Sequence, residues 1–149
     1  MPSEIPSRSN RIDCKKPVLK KLEKLKIFIW HPRHIGFDTI PPQDLLSLLS
    51  SPSLMKLAIE CCSSLTDDIL FDAANVHGYQ KLESMTLLSD CPNVSKRGID
   101  LFINESNALS YIFLKCMQGV SQQNADEWKA LAIRNNWKLK MDVWKLGLK

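Results

Sequence analysis

Five cysteines and one histidine pair are the residues of this chain whose types could do metal or nucleophile chemistry. A thiolate can ligate zinc or attack an electrophile, and neutral imidazoles hold transition metals. Zinc sites favour cysteines two residues apart. No C-x2-C pair occurs among Cys14, Cys61, Cys62, Cys91 and Cys116. Cys61 and Cys62 are adjacent, so in a strand their side chains would point to opposite sides. His31 and His34 have the spacing of a metal pair, but Asp38 is the nearest carboxylate and no third ligand stands beside them. Neither a metal nor another cofactor is expected. None of the five glycines stands in a G-x-G spacing that could cradle phosphate. No Ser, Cys or Thr lies in a recognised nucleophile motif. The expectation is a chain without catalytic residues and without enzyme activity.

The cysteines instead mark a recurring phrase. Leu54-x-x-Leu57-x-Ile59 leads to Cys62 and then Leu65-Thr66-Asp67. Leu82-x-x-Met85-x-Leu87 leads to Cys91 and Val94-Ser95-Lys96, and Leu109-x-x-Ile112-x-Leu114 leads to Cys116 and Val120-Ser121-Gln122. The openings at 54, 82 and 109 are 28 and 27 residues apart. A fixed period in this range signals stacked units that share one core. The predicted fold is an α/β leucine-rich repeat solenoid of about four to five repeats, with parallel strands on the concave face and helices on the convex face. Each cysteine sits where the chain leaves the sheet, a place suited to a small apolar side chain.

Leu22-x-x-Leu25-x-Ile27-x-Ile29 supplies a first strand, followed by an irregular loop over 31–42 and a helix at Asp44–Leu49 that Pro41 and Pro42 begin. Thr66, Ser95 and Ser121 stand as N-caps for three further helices. The first of these runs from Asp67 to about Val76, closed by His77-Gly78 with Gly78 free to take positive φ. In the third unit Ile99, Phe102 and Ile103 face inward, and the helix breaks at 104–107. Ala125, Trp128, Leu131 and Ala132 form the stripe of the fourth. A degenerate fifth phrase, Leu139-x-Met141-x-Val143, follows if Asn136 takes the opening slot, with Trp137 and Trp144 covering the end of the core.

The 149 residues carry 20 basic and 16 acidic side chains, eight and three of them within residues 1–26. The basic excess therefore belongs to the N-terminus, where residues 1–18 read as a flexible basic arm ahead of a repeat domain over 19–149. No run approaches the roughly 20 apolar residues of a membrane span, and the first ten residues lack the apolar centre of a secretory signal. Reduced thiols in the cytoplasm or nucleus are expected, with a mitochondrial location as the minor alternative. Neither nucleic acid nor membrane is an expected partner.

The phrases Leu54-Leu57-Ile59-Cys62-Leu65-Thr66-Asp67 and Leu82-Met85-Leu87-Cys91-Val94-Ser95-Gly98-Ile99 resemble the cysteine-containing repeats of F-box/LRR proteins; Cys116, Val120 and Ser121 match more loosely. The cysteines drift, falling three, four and two residues after the last apolar strand position. The resemblance covers roughly Leu22 to Met141. It implies a protein–protein interaction module resembling the substrate receptors of cullin-type ubiquitin ligases, with the target held on the repeats. No F-box is legible, and Ile40 to Leu46 is read as the first helix instead. The chain is also similar to short LRR assembly factors of the mitochondrial ATP synthase subunit s type. A structural fragment of a larger LRR protein is the further alternative.

Strand residues between the buried ones should face the concave side. They are Lys24, Lys26, Phe28 and Trp30, then Lys56, Ala58 and Glu60, then Ser84, Thr86 and Leu88, then Tyr111, Phe113 and Lys115. Aromatic rings beside lysines suit a protein interface, where large amphipathic side chains dominate binding energy. Phe28, Trp30, Tyr111 and Phe113 are the expected anchors. The competing expectation packs Trp30 on its own loop and Tyr111 against the C-terminal end.

Overall fold

Apolar residues at alternate positions produce five short strands, and each strand but the last is followed by a helix. A computed structural model describes residues 19–28, 40–77, 79–88, 91–104 and 108–145, without the His77 side chain. The order is β1 (Lys24–Phe28), α1 (Pro42–Leu49), β2 (Lys56–Glu60), α2 (Asp67–His77), β3 (Ser84–Leu88), α3 (Lys96–Asp100), β4 (Tyr111–Lys115), α4 (Gln122–Arg134) and β5 (Lys140–Trp144). The strands form one parallel sheet in sequential order, β1-β2-β3-β4-β5. Parallel neighbours need a crossover, and here every crossover between described strands from β2 onward is a helix. The result is a solenoid-like α/β arrangement. Among the described residues no helix is long and apolar enough to cross a membrane.

The expected register holds across the sheet. Leu25, Leu57, Met85, Ile112 and Met141 lie side by side, as do Ile27, Ile59, Leu87, Leu114 and Val143. These rows form one core with Leu45 and Leu49 of α1, Leu70 and Ala73 of α2, Ile99 of α3, Phe102 after it and Trp128 of α4. The residues between them are half-buried or exposed. One face of the sheet is therefore covered, and the described residues leave the other open.

The caps fall where the sequence places them. Thr66 Oγ1 accepts from the Ile69 amide at 3.1 Å. Ser95 accepts from the Arg97 amide, and Ser121 forms a reciprocal capping box with Asn124. Pro41 and Pro42 begin α1. Neighbouring units are also tied through their turns. Asn93 Nδ2 donates to the Ser63 carbonyl at 2.7 Å, and the Ser95 amide donates to Asp67 Oδ1 at 2.9 Å. Ser95 and Gly119 form a parallel bridge.

Three details differ from the sequence expectation. First, the buried slot three residues before Leu65 and Val94 holds Cys62 and Cys91, but before Val120 it holds Met117. Cys116 matches Cys61 instead: each directly follows a strand in a left-handed conformation, φ 58° and 56°. The apparent drift of the fourth-unit cysteine is thus a different slot.

Second, β5 begins 29 residues after β4, and Met141 pairs with Ile112. The opening slot is therefore Lys138, not Asn136. Asn136 leaves α4 at φ 54°, a conformation asparagine tolerates, and two extra residues follow before the strand.

Third, α3 stops at Asp100, although Phe102 and Ile103 after it remain buried. Asn104 Nδ2 takes the Leu101 carbonyl at 2.7 Å, an alternative to helical bonding. Tyr79 after α2 also has a positive φ, at 51°; the expectation for Gly78 falls outside the described residues. The Tyr79 ring is buried against Phe102, 4.7 Å between centroids, and its hydroxyl donates to the Leu70 carbonyl. The arm over 1–18 and the loop 31–39 also lie outside the described residues.

Candidate functional site

Side chains of a strand alternate between faces, so the pairing register fixes what the open face presents. Three rows cross it. The first is Lys24, Lys56, Ser84, Tyr111 and Lys140. The second is Lys26, Ala58, Thr86, Phe113 and Asp142, and the third is Phe28, Glu60, Leu88, Lys115 and Trp144. The expected residues of β1 to β4 are brought together on this one surface. Trp30 lies outside the described residues.

The sequence reading missed the fifth strand's share. Lys140, Asp142 and Trp144 belong to the open face because they alternate with Met141 and Val143, which was already legible in that phrase. Trp144 does not cover the end of the core. It is 60% exposed and meets Phe113 edge-on, 6.0 Å between centroids at 85°. Trp137 does pack against the core from that end. Tyr111 is half-buried, and its hydroxyl donates to Asp142 Oδ2 at 3.4 Å. Partial burial, and then the adjacent Asp142 carboxylate, pushes the Tyr111 phenol up from its ordinary value.

The electrostatics are one-sided. Five lysines occupy the face (24, 26, 56, 115 and 140) against Glu60 and Asp142. Lys24, Lys26 and Lys56 cluster on β1 and β2, whereas Tyr111, Phe113 and Trp144 cluster on β4 and β5. Between them lie the small or short side chains Ala58, Ser84 and Thr86. Phe28, at the outer corner of β1, is 56% exposed.

This surface can hold an acidic and apolar ligand by charge and contact. Among the described residues no group of three or more His, Cys, Asp or Glu side chains is placed to hold a metal ion. His31 and His34 lie outside them. Comparisons with protein-family models, curated proteins and solved structures find no match.

Proposed function

We propose that this chain is a leucine-rich repeat interaction module without catalytic activity, and that a protein partner seats on the open face of its sheet. The observation that carries this reading is the pairing of aromatic side chains with an excess of lysines on the sheet face that the described residues leave uncovered. Aromatic residues supply contact area at small entropic cost, and charge complementarity steers and selects the partner. A matching surface would be apolar at one end and acidic at the other. Substrate reception for a cullin-type ubiquitin ligase is the finer proposal, suggested by the resemblance of the repeated phrases.

Affinity capture with the full chain and with a Tyr111→Ala, Phe113→Ala variant tests both levels. The expected result is a defined partner set retained by the parent chain and lost from the variant. A folded variant that keeps every partner would sink the open-face reading. Recovery of the cullin adaptor supports the receptor role. Its absence alongside mitochondrial partners supports the assembly-factor alternative.

A further inference from the structure

The sheet ends at β5, and the main chain there is oriented for one more strand. The Lys140 amide donates to the Ser110 carbonyl at 2.9 Å, and the Trp144 carbonyl accepts from the Cys116 amide at 2.8 Å. The peptide groups of Lys140, Asp142 and Trp144 thus face β4. By alternation those of Met141 and Val143 face outward, where no described strand lies. Unpaired edges template further pairing. Beneath this edge the described residues leave the core incompletely closed. Ala132, Ile133, Trp137, Leu139 and Met141 line an open groove of about 200 Å³, rimmed by Lys129. Ile133 is 80% exposed.

We infer that β5 pairs antiparallel with β5 of a second copy of this chain, making a twofold dimer with one continuous ten-stranded sheet. Charge decides both the occupant and the register. Hydrogen bonding requires that outward-facing residues oppose one another, and face matching excludes shifts that place open-face side chains against core ones. Three central registers remain. One sets Lys140 opposite Lys140 of the second copy, and another sets Asp142 opposite Asp142. The third sets Met141 opposite Met141, and then Lys140 faces Asp142 of the second copy twice over. Opposite charges directly across a strand pair stabilise it, and like charges oppose it. Only the third register is charge-matched at both sites, and it brings Leu139 opposite Val143. A twofold interface of this kind uses the same patch on both copies, so both end grooves are covered together.

The test is the mass of the full chain by light scattering across a concentration series. Mass should rise from 17.0 kDa toward twice that value. Asp142→Lys places lysine against Lys140 at both sites and should weaken association roughly tenfold. The double swap Lys140→Asp, Asp142→Lys should restore it, which loss of the Tyr111 hydrogen bond alone would not do. Val143→Pro removes an amide that faces away from β4, so the monomer should keep its circular dichroism spectrum and lose the dimer. If that variant misfolds, the charge swap decides. A monomeric mass throughout overturns the proposal. So does a dimer that ignores Asp142→Lys, or a double swap that fails to rescue.

Discussion

Replacing Gly119 with alanine tests whether the turns interlock or merely bend. An alanine Cβ there would overlap the Val94 carbonyl oxygen and stand 2.9 Å from Ser95 Cα. Both neighbours are main chain of the adjacent unit, so relief requires the two turns to separate. Separation would weaken the bond from the Lys96 amide to the Gly119 carbonyl, now 3.2 Å, and the Ser95–Gly119 bridge. Overpacking of this kind costs roughly 1–3 kcal/mol, and a lost hydrogen bond adds about 0.5–1.5 kcal/mol. Reduced freedom of the unfolded chain returns about 0.4–1 kcal/mol. The net loss is about 2 kcal/mol, which lowers the thermal midpoint by roughly 4–8 °C for a chain of this size. Calorimetry or thermal circular dichroism measures it. The sign is decisive: a glycine needed only for turn flexibility would give a more stable alanine variant. An unchanged or raised midpoint refutes the interlock.

Leu87→Ala should cost roughly 2–5 kcal/mol in urea unfolding, because the side chain is fully buried between Ile59 and Leu114 in register; an unmoved midpoint would contradict the shared core. Met117→Ala should destabilise by roughly 2 kcal/mol or more while Cys116→Ser stays within about 1 kcal/mol, since Met117 is 5% exposed and Cys116 only half-buried; the reverse order would return the core slot to Cys116. Burial pushes the Tyr79 phenol well above its ordinary value. Its contribution to stability is therefore present below the unfolded value of about 10 and lost as pH rises beyond it. Tyr79→Phe should flatten that alkaline decline, and an identical pH–stability profile would remove Tyr79 as its cause. Once a partner is captured, Lys26→Glu with Lys56→Glu should slow its association and reduce the salt dependence, with little change in dissociation; salt-independent binding by the parent chain would remove the electrostatic half of the site.

The sheet was legible because a period of two in apolar residues is hard to satisfy any other way, and four phrases repeat it in near-constant register. The caps were legible because Thr66, Ser95 and Ser121 each precede a helix by the same chemistry. What escaped notice depended on backbone conformation rather than residue type. Cys116 resembles Cys62 in composition, but its positive φ puts it in the slot of Cys61, and a methionine fills the core position. The two residues added after Asn136 shift the last strand without changing its alternation. The α3 helix ends early because Gly98 is a poor helix former and the Asn104 side chain competes for a helical carbonyl. The candidate site was legible up to β4. The size of Trp144 suggests the end of the core, whereas its alternation with Val143 turns it to the open face and makes β5 the fifth column of the site.

That alternation also separates the positions the fold constrains from those it does not. Core-face residues of β2 to β4 are fixed by in-register neighbours on both sides. Turn residues are fixed by the contacts of Asp67, Asn93 and Gly119 with the next or previous unit. Neither constraint reaches the second row of the open face, where Lys26, Ala58, Thr86, Phe113 and Asp142 share a register but no common chemistry. Within the sheet, the last two positions of this row do make contacts: Phe113 meets Trp144 edge-on, and Asp142 accepts from the Tyr111 hydroxyl. Under the proposed function, the row's change from cation through small side chains to aromatic ring and carboxylate would require of a partner two ends: an acidic one over β1 and β2, and an apolar one over β4 and β5. Pairing through β5 would join two such faces at their aromatic ends, placing Phe113 and Trp144 of each copy near the middle of a doubled surface with the lysine clusters outermost.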